Sequence, residues 1–145
     1  MAFEFIKPGS TGRMSITLTT GVMISISSEG AQRKGIRVRI GVDAMQKMRW
    51  IAGDRVQIGF DRDHRLIKIV RVNKDGYLLT AQTSSARKKG KTHGVSCNFR
   101  MLLDRIPEDV SALLLSVLNG SPYQTDDCIF DSEGITFDWP RGGEK

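Results

Sequence analysis

The residues of this chain best suited to chemistry are two short runs of cations. Arg33, Lys34, Arg37 and Arg39 form the first, and Arg87, Lys88, Lys89 and Lys91 the second, with Thr92 and His93 adjoining as hydrogen-bond donors. Guanidinium and ammonium groups at this density neutralise phosphates and release counterions, while Gly35 and Gly90 let the backbone approach a sugar-phosphate chain. The chemistry expected is the gripping of a polyanion. Neither run contains an aromatic residue, which favours contact with the nucleic-acid backbone over base stacking. Trp50, Phe60, Tyr77 and Phe99 stand nearby but within apolar patterns, where a core role is expected.

Bond-breaking chemistry finds little support. His93 precedes Cys97 by four residues, so on one strand they share a face but sit roughly 12 Å apart, beyond hydrogen-bond reach. Asp126, Asp127, Cys128 and Asp131 offer ligand atoms without calcium-loop or zinc spacing, so no metal is expected. Neither a G-x-x-x-x-G-K-[ST] nor a G-x-G-x-x-G motif occurs, so no cofactor is implied and the protein reads as non-enzymatic. Cys97 and Cys128 are too few for a disulfide framework and read as small hydrophobes in a reducing compartment. No run approaches the ~20 apolar residues of a membrane span, and Glu4 and Lys7 occupy what would be the apolar core of a secretory signal. A cytoplasmic protein without membrane contact is expected.

The formal net charge of +6 conceals a polar distribution: residues 1–103 carry 19 Lys/Arg against 7 Asp/Glu, residues 104–145 only 3 against 9. The basic part would attract nucleic acid, with DNA favoured over RNA. The acidic part, Asp104 to Asp138, could contact a protein partner.

The elements that position these residues are mostly strands. Apolar residues alternate at Ile16 and Leu18, then at Val22, Ile24 and Ile26, the period of half-buried strands broken near Thr20-Gly21. Glu29 to Gly35 reads as an exposed hairpin loop. Ile36, Val38 and Ile40 then alternate with Arg37 and Arg39, which places both arginines opposite the core. Asp43 is expected to cap a short helix ending near Gly53-Asp54. Arg55–Phe60 and Leu66–Val72 read as a hairpin, Tyr77–Thr80 as a further strand, and Val110–Asp127 as a helical insertion stopped at Asn119-Gly120-Ser121-Pro122.

An offset of 55 residues superimposes Ala31–Asp54 on Ala86–Asp109 without a gap, matching Lys34/Lys89, Gly35/Gly90, Ile51/Ile106 and Asp54/Asp109, and pairing Asp43 with Asn98. A unit of some 45 residues cannot bury its apolar strand face alone, so a tandem copy would supply the missing half. The expected organisation is an N-terminal arm (1–20), a first repeat (21–76), a second repeat (77–139) carrying the helical insertion 110–127, and a tail (140–145). Phe130-Asp131 through Phe137 echoes Phe60-Asp61, its turn and the strand from Leu66.

The segment Ile36 to Val70, with its Gly53-Asp54-Arg55-Val56 turn, resembles the swapped-hairpin family of AbrB transition-state regulators and MazE-type antitoxins. The second copy carries Glu108-Asp109-Val110 at the corresponding turn. The resemblance implies a mainly β (α+β) fold with short helices: a tandem swapped-hairpin β-barrel of two pseudo-symmetric halves. It also implies DNA binding through basic loops of one face, brought side by side by the pseudo-twofold, in a monomer or homodimer. Gly41 stands where many members carry proline, and Thr92 and Gly94 replace Arg37 and Arg39 in the second copy. An asymmetric or non-specific target therefore fits better than a palindrome. Two other functions fit the same residues: a single-stranded nucleic-acid-binding accessory of replication or recombination, and an antitoxin- or inhibitor-type protein-interaction module.

Overall fold

A computed structural model describes residues 18, 20–29, 33–83, 87–119 and 122–140, with the side chains of 28, 29, 33 and 34 outside that description. Most of the expected N-terminal arm, including Ile16, and most of the tail lie outside the described residues.

The alternating segments become two five-stranded antiparallel sheets. In the first, β1 (Val22–Glu29) and β2 (Arg33–Ile40) form a hairpin paired in register from Val22↔Ile40 to Glu29↔Arg33. The free edge of β2 takes β7 (Cys97–Leu102), which carries β6 (Thr80–Ala81), and the free edge of β1 takes β8 (Tyr123–Thr125). In the second sheet, β3 (Arg55–Asp61) and β4 (Leu66–Val72) are flanked by β5 (Tyr77–Leu78) and by β10 (Gly134–Asp138) with β9 (Ile129–Phe130). Val22, Ile24, Ile36, Val38, Ile40, Phe99 and Met101 from the first sheet meet Val56, Ile67, Ile69, Ile135 and Phe137 from the second in one buried core. Each such side chain removed from water contributes about 1.5–3 kcal/mol.

The mainly β class with short helices is as expected, but the described strands make two separate sheets and no closed barrel. α1 (Val42–Met48) buries Ala44 and Met45. Its N-cap is Gly41 rather than Asp43, because Ile40 is the last core residue of β2 and the chain turns at once. Asp43 lies in the first turn, where its charge suits the helix dipole, and pairs with Lys47 at 3.6 Å. The helix ends at Arg49, which takes the left-handed conformation (φ 59°). α2 (Glu108–Leu118) follows Pro107, has Glu108 and Asp109 in its first turn, and buries Val110, Leu114 and Leu118, the i, i+4, i+8 stripe of an amphipathic helix. No described helix is long and apolar enough to cross a membrane.

The ungapped 55-residue superposition is not structural. It would lay β2 on residues 88–95, which hold a helical turn and loop, and α1 on 97–103, which are mostly strand β7. Asn98 is therefore a mid-strand residue and not a helix cap. The symmetry that does occur is in the second sheet. About the Lys68↔Thr136 rung, Ile67 exchanges with Ile135 and Ile69 with Phe137, while Phe60 opposite Ile67 matches Phe130 opposite Ile135. The echo read in Phe130–Phe137 thus corresponds to two hairpins lying side by side. Gly134 is needed at their seam, since a Cβ there would collide with the Ile69 carbonyl oxygen.

Candidate nucleic-acid interface

β2 alternates as expected, with Ile36, Val38 and Ile40 fully buried and Arg37 and Arg39 on the opposite, outer face. The β2–β7 register places Arg100 directly opposite Arg37, and Asn98 opposite Arg39. Three arginines on two neighbouring strands thus share the outer face of one sheet. Like charges directly across a rung destabilise it, so side chains must be held apart by polar partners. Arg37 Nη1 donates to Asn98 Oδ1 at 2.8 Å, and Arg100 Nε donates to Ser27 Oγ at 2.9 Å. Arg39 Nη1 approaches Met23 Sδ at 3.9 Å, and its Nε is buried with no hydrogen-bond partner among the described residues.

The strands of this sheet carry Arg33, Lys34, Arg37, Arg39 and Arg100 against a single carboxylate, Glu29, which stands opposite Arg33 in the register. Much of the remaining charge is paired elsewhere. Arg62 forms a bidentate ion pair with Asp109, its second hydrogen bond 2.9 Å long, and Lys68 meets Glu133 at 2.6 Å. These pairs draw Asp109 below and Lys68 above their ordinary pKa values, chiefly through those side-chain hydrogen bonds. The acidic C-terminal part is thus partly consumed on the second sheet and its turns, leaving the first sheet cationic.

The two basic loops are not side by side. β7 runs antiparallel to β2, so the hairpin end at Arg33-Lys34 lies beside Leu102, while the loop preceding Cys97 lies beside Ile40. Across eight residues of β2 the two ends are about 23 Å apart. The expectation of one surface built from adjacent loops is therefore corrected. The loops flank the sheet at opposite ends, and the outer-face arginines lie between them.

At the Ile40 end, Lys88, Lys89 and Lys91 are exposed and form no ion pair among the described residues. Arg87 has a structural engagement: its Nη1 donates to the carbonyls of Ala81 (2.8 Å) and Gln82 (3.3 Å). The Thr92 carbonyl accepts from Ala52 N–H at 3.0 Å, which ties this loop to the turn after α1, and Thr92 Oγ1 shares a 2.8 Å hydrogen bond with His93 Nδ1. Arg33 and Lys34 open β2, their side chains outside the described ones.

Arg100 is the site residue that sequence reasoning missed. The segment Cys97-Asn98-Phe99-Arg100-Met101-Leu102 alternates as openly as β2 does, with Cys97, Phe99 and Met101 buried. The 55-residue offset instead predicts a helix there, because it lays the segment of α1 on these residues. β7 supplies the arginine opposite Arg37, and the loop residues Thr92 and Gly94 are not counterparts of Arg37 and Arg39.

The Cys97 thiol is fully buried and pushed up to about 11, chiefly by desolvation, and the half-buried Cys128 rises to about 11 for the same main reason. Neither is a nucleophile at neutral pH. The fold and site define a mainly β protein with a cationic sheet face. No protein-family model, curated protein or solved structure matches the chain.

Proposed function

We propose that this protein binds nucleic acid without catalysing a reaction, gripping the phosphate backbone along the outer face of the β1–β2–β7 sheet. The observation that carries the reading is the register that sets Arg37 opposite Arg100 with Arg39 one rung-pair along, on a sheet with five cations and one carboxylate among its strands. Arginine suits this task because its planar fork binds phosphate oxygens in a bidentate manner. The loop lysines 88, 89 and 91 extend the track at the Arg39 end. Alternate residues on a strand are about 6.6 Å apart, so the cations form a line suited to successive phosphates of one strand. The resemblance of the segment Ile36 to Val70 to swapped-hairpin DNA binders points the same way, by analogy of sequence pattern.

The test is a salt titration of binding to matched oligonucleotides. Six cations neutralising phosphates give a log-log slope of about −5 on duplex and about −4 on single strands. Replacing Arg39 or Lys89 by Ala flattens the slope by about 1. An affinity indifferent to salt refutes the reading. Co-purification of a stoichiometric protein partner with no retained nucleic acid favours the interaction-module alternative.

A further inference from the structure

Beside the arginine face lies a cleft of about 700 Å³ that the polyanion reading leaves unused. It opens where the two sheets present half-covered edges to one another. β6 pairs with β7 only at Cys97 and Asn98, and β5 pairs with β3 only at Arg55 and Val56. Beyond those rungs, Arg100–Leu102 on one side and Gln57–Phe60 on the other have no further strand partner among the described residues. Across the gap the Tyr77 ring stacks on Phe99 with centroids 5.3 Å apart and planes 23° apart, while on the second-sheet side Phe60 meets Trp139 edge-on at 6.2 Å. Tyr77 and Phe60 line the cleft and are only partly buried, and the exposed Arg105 stands beside them.

The cleft adjoins the arginine face at β7: Arg100 borders it, while the Arg100 guanidinium reaches across Gly35 to Ser27 on β1. A backbone held on the face by phosphates would therefore pass the mouth of a cleft lined by two aromatic rings and the exposed Arg105. Aromatic rings interleaved with arginines are what unpaired bases stack on, and the volume falls in the range of small-ligand sites. A duplex cannot place a base there, because its bases are stacked and paired inside the helix.

Resting on the proposed binding function, we infer that the cleft lined by Tyr77, Phe60 and Arg105 receives an unpaired base, so that the protein selects single-stranded over duplex nucleic acid. An extended peptide added to the half-open strand edges is the competing occupant.

The experiment measures affinities of the full chain for oligothymidylate, oligouridylate and a duplex of equal length, in wild type and in Tyr77→Leu and Arg105→Ala. The wild type binds the single strands more tightly than the duplex, and a preference between the thymidylate and the uridylate tells DNA from RNA. Tyr77→Leu weakens single-strand binding roughly five- to hundredfold, leaving duplex binding within about twofold. Arg105→Ala, an exposed change that leaves the core intact, shifts the same ratio in the same direction. Photo-crosslinking of a 5-iodouridine oligonucleotide to wild type attaches at Tyr77 or Phe60, a readout independent of variant folding. Equal losses on single strand and duplex, or crosslinks confined to residues outside the cleft, overturn the inference while the arginine face stands. Failure of wild type to bind any of the three overturns the function beneath it.

Discussion

Replacing Arg39 by Met separates a residue kept for binding from one kept for folding. Arg39 is half-buried on β2, its Nε makes no hydrogen bond among the described residues, and its nearest polar contact is a thioether sulfur 3.9 Å away. A buried donor left unpaired costs about 1–3 kcal/mol, and the partial exposure of the side chain argues for the lower end. Met keeps an aliphatic side chain opposite Met23 in the register and removes the unpaired donor and the charge. The variant should therefore gain about 1 kcal/mol, or at worst lose nothing, which for a chain of this size is a rise in Tm of about 2–5 °C. Urea unfolding with an unchanged m value measures the gain. Binding to oligonucleotides should weaken in the same variant, with the salt slope about 1 shallower. A variant destabilised by more than about 1 kcal/mol with affinity intact would refute the reasoning, since Arg39 would then be a structural residue.

Three further outcomes follow from packing and ionisation. Gly134→Ala should destabilise severely, because the new methyl group meets the Ile69 carbonyl within the β4–β10 ladder, whereas Gly59→Thr on the outer face of β3, with open space beside it, should be neutral or mildly stabilising; thermal melts of the two variants check the contrast. Phe137→Ala removes a ring that is 2% exposed and should cost about 3–5 kcal/mol by urea unfolding. Asp131 accepts backbone hydrogen bonds from Gly134 (3.0 Å) and Glu133 (2.8 Å), which hold its carboxyl below the ordinary value of 3.8. A depressed folded-state value stabilises above the unfolded pKa and is lost as pH falls through the folded one. The Tm gap between wild type and Asp131→Ala should therefore be open at pH 6 and close progressively below about pH 4.

Local patterns were legible wherever alternation and turn chemistry agreed. β4 spans Leu66–Val72 as read, β3 differs by one residue, and the turn between them is the expected polar one, because Val56, Ile67 and Ile69 alternate with polar residues on a half-buried sheet. The outward placement of Arg37 and Arg39 followed from the same period. What misled was similarity of composition: two basic, glycine-containing loops resemble each other whether or not their flanking elements do. Aligning them moved β7 out of register and hid Arg100. The relative position of the loops depended on which strands pair, a long-range fact with no local signal. Only the antiparallel β2–β7 ladder puts them at opposite ends. Likewise the Tyr77 cleft arises from two edges distant in sequence, so no window of residues could reveal it.

The central claim concerns one face of one sheet, and amide chemical-shift mapping during titration with a single-stranded oligonucleotide at low salt addresses it most directly. The account predicts that perturbations concentrate on Gly35–Ile40, on Asn98–Leu102 and on the loop holding Lys88–Lys91, and that they fade together as salt is raised. Perturbations centred instead on α2 and the β9–β10 hairpin, with β2 and β7 silent, would contradict it.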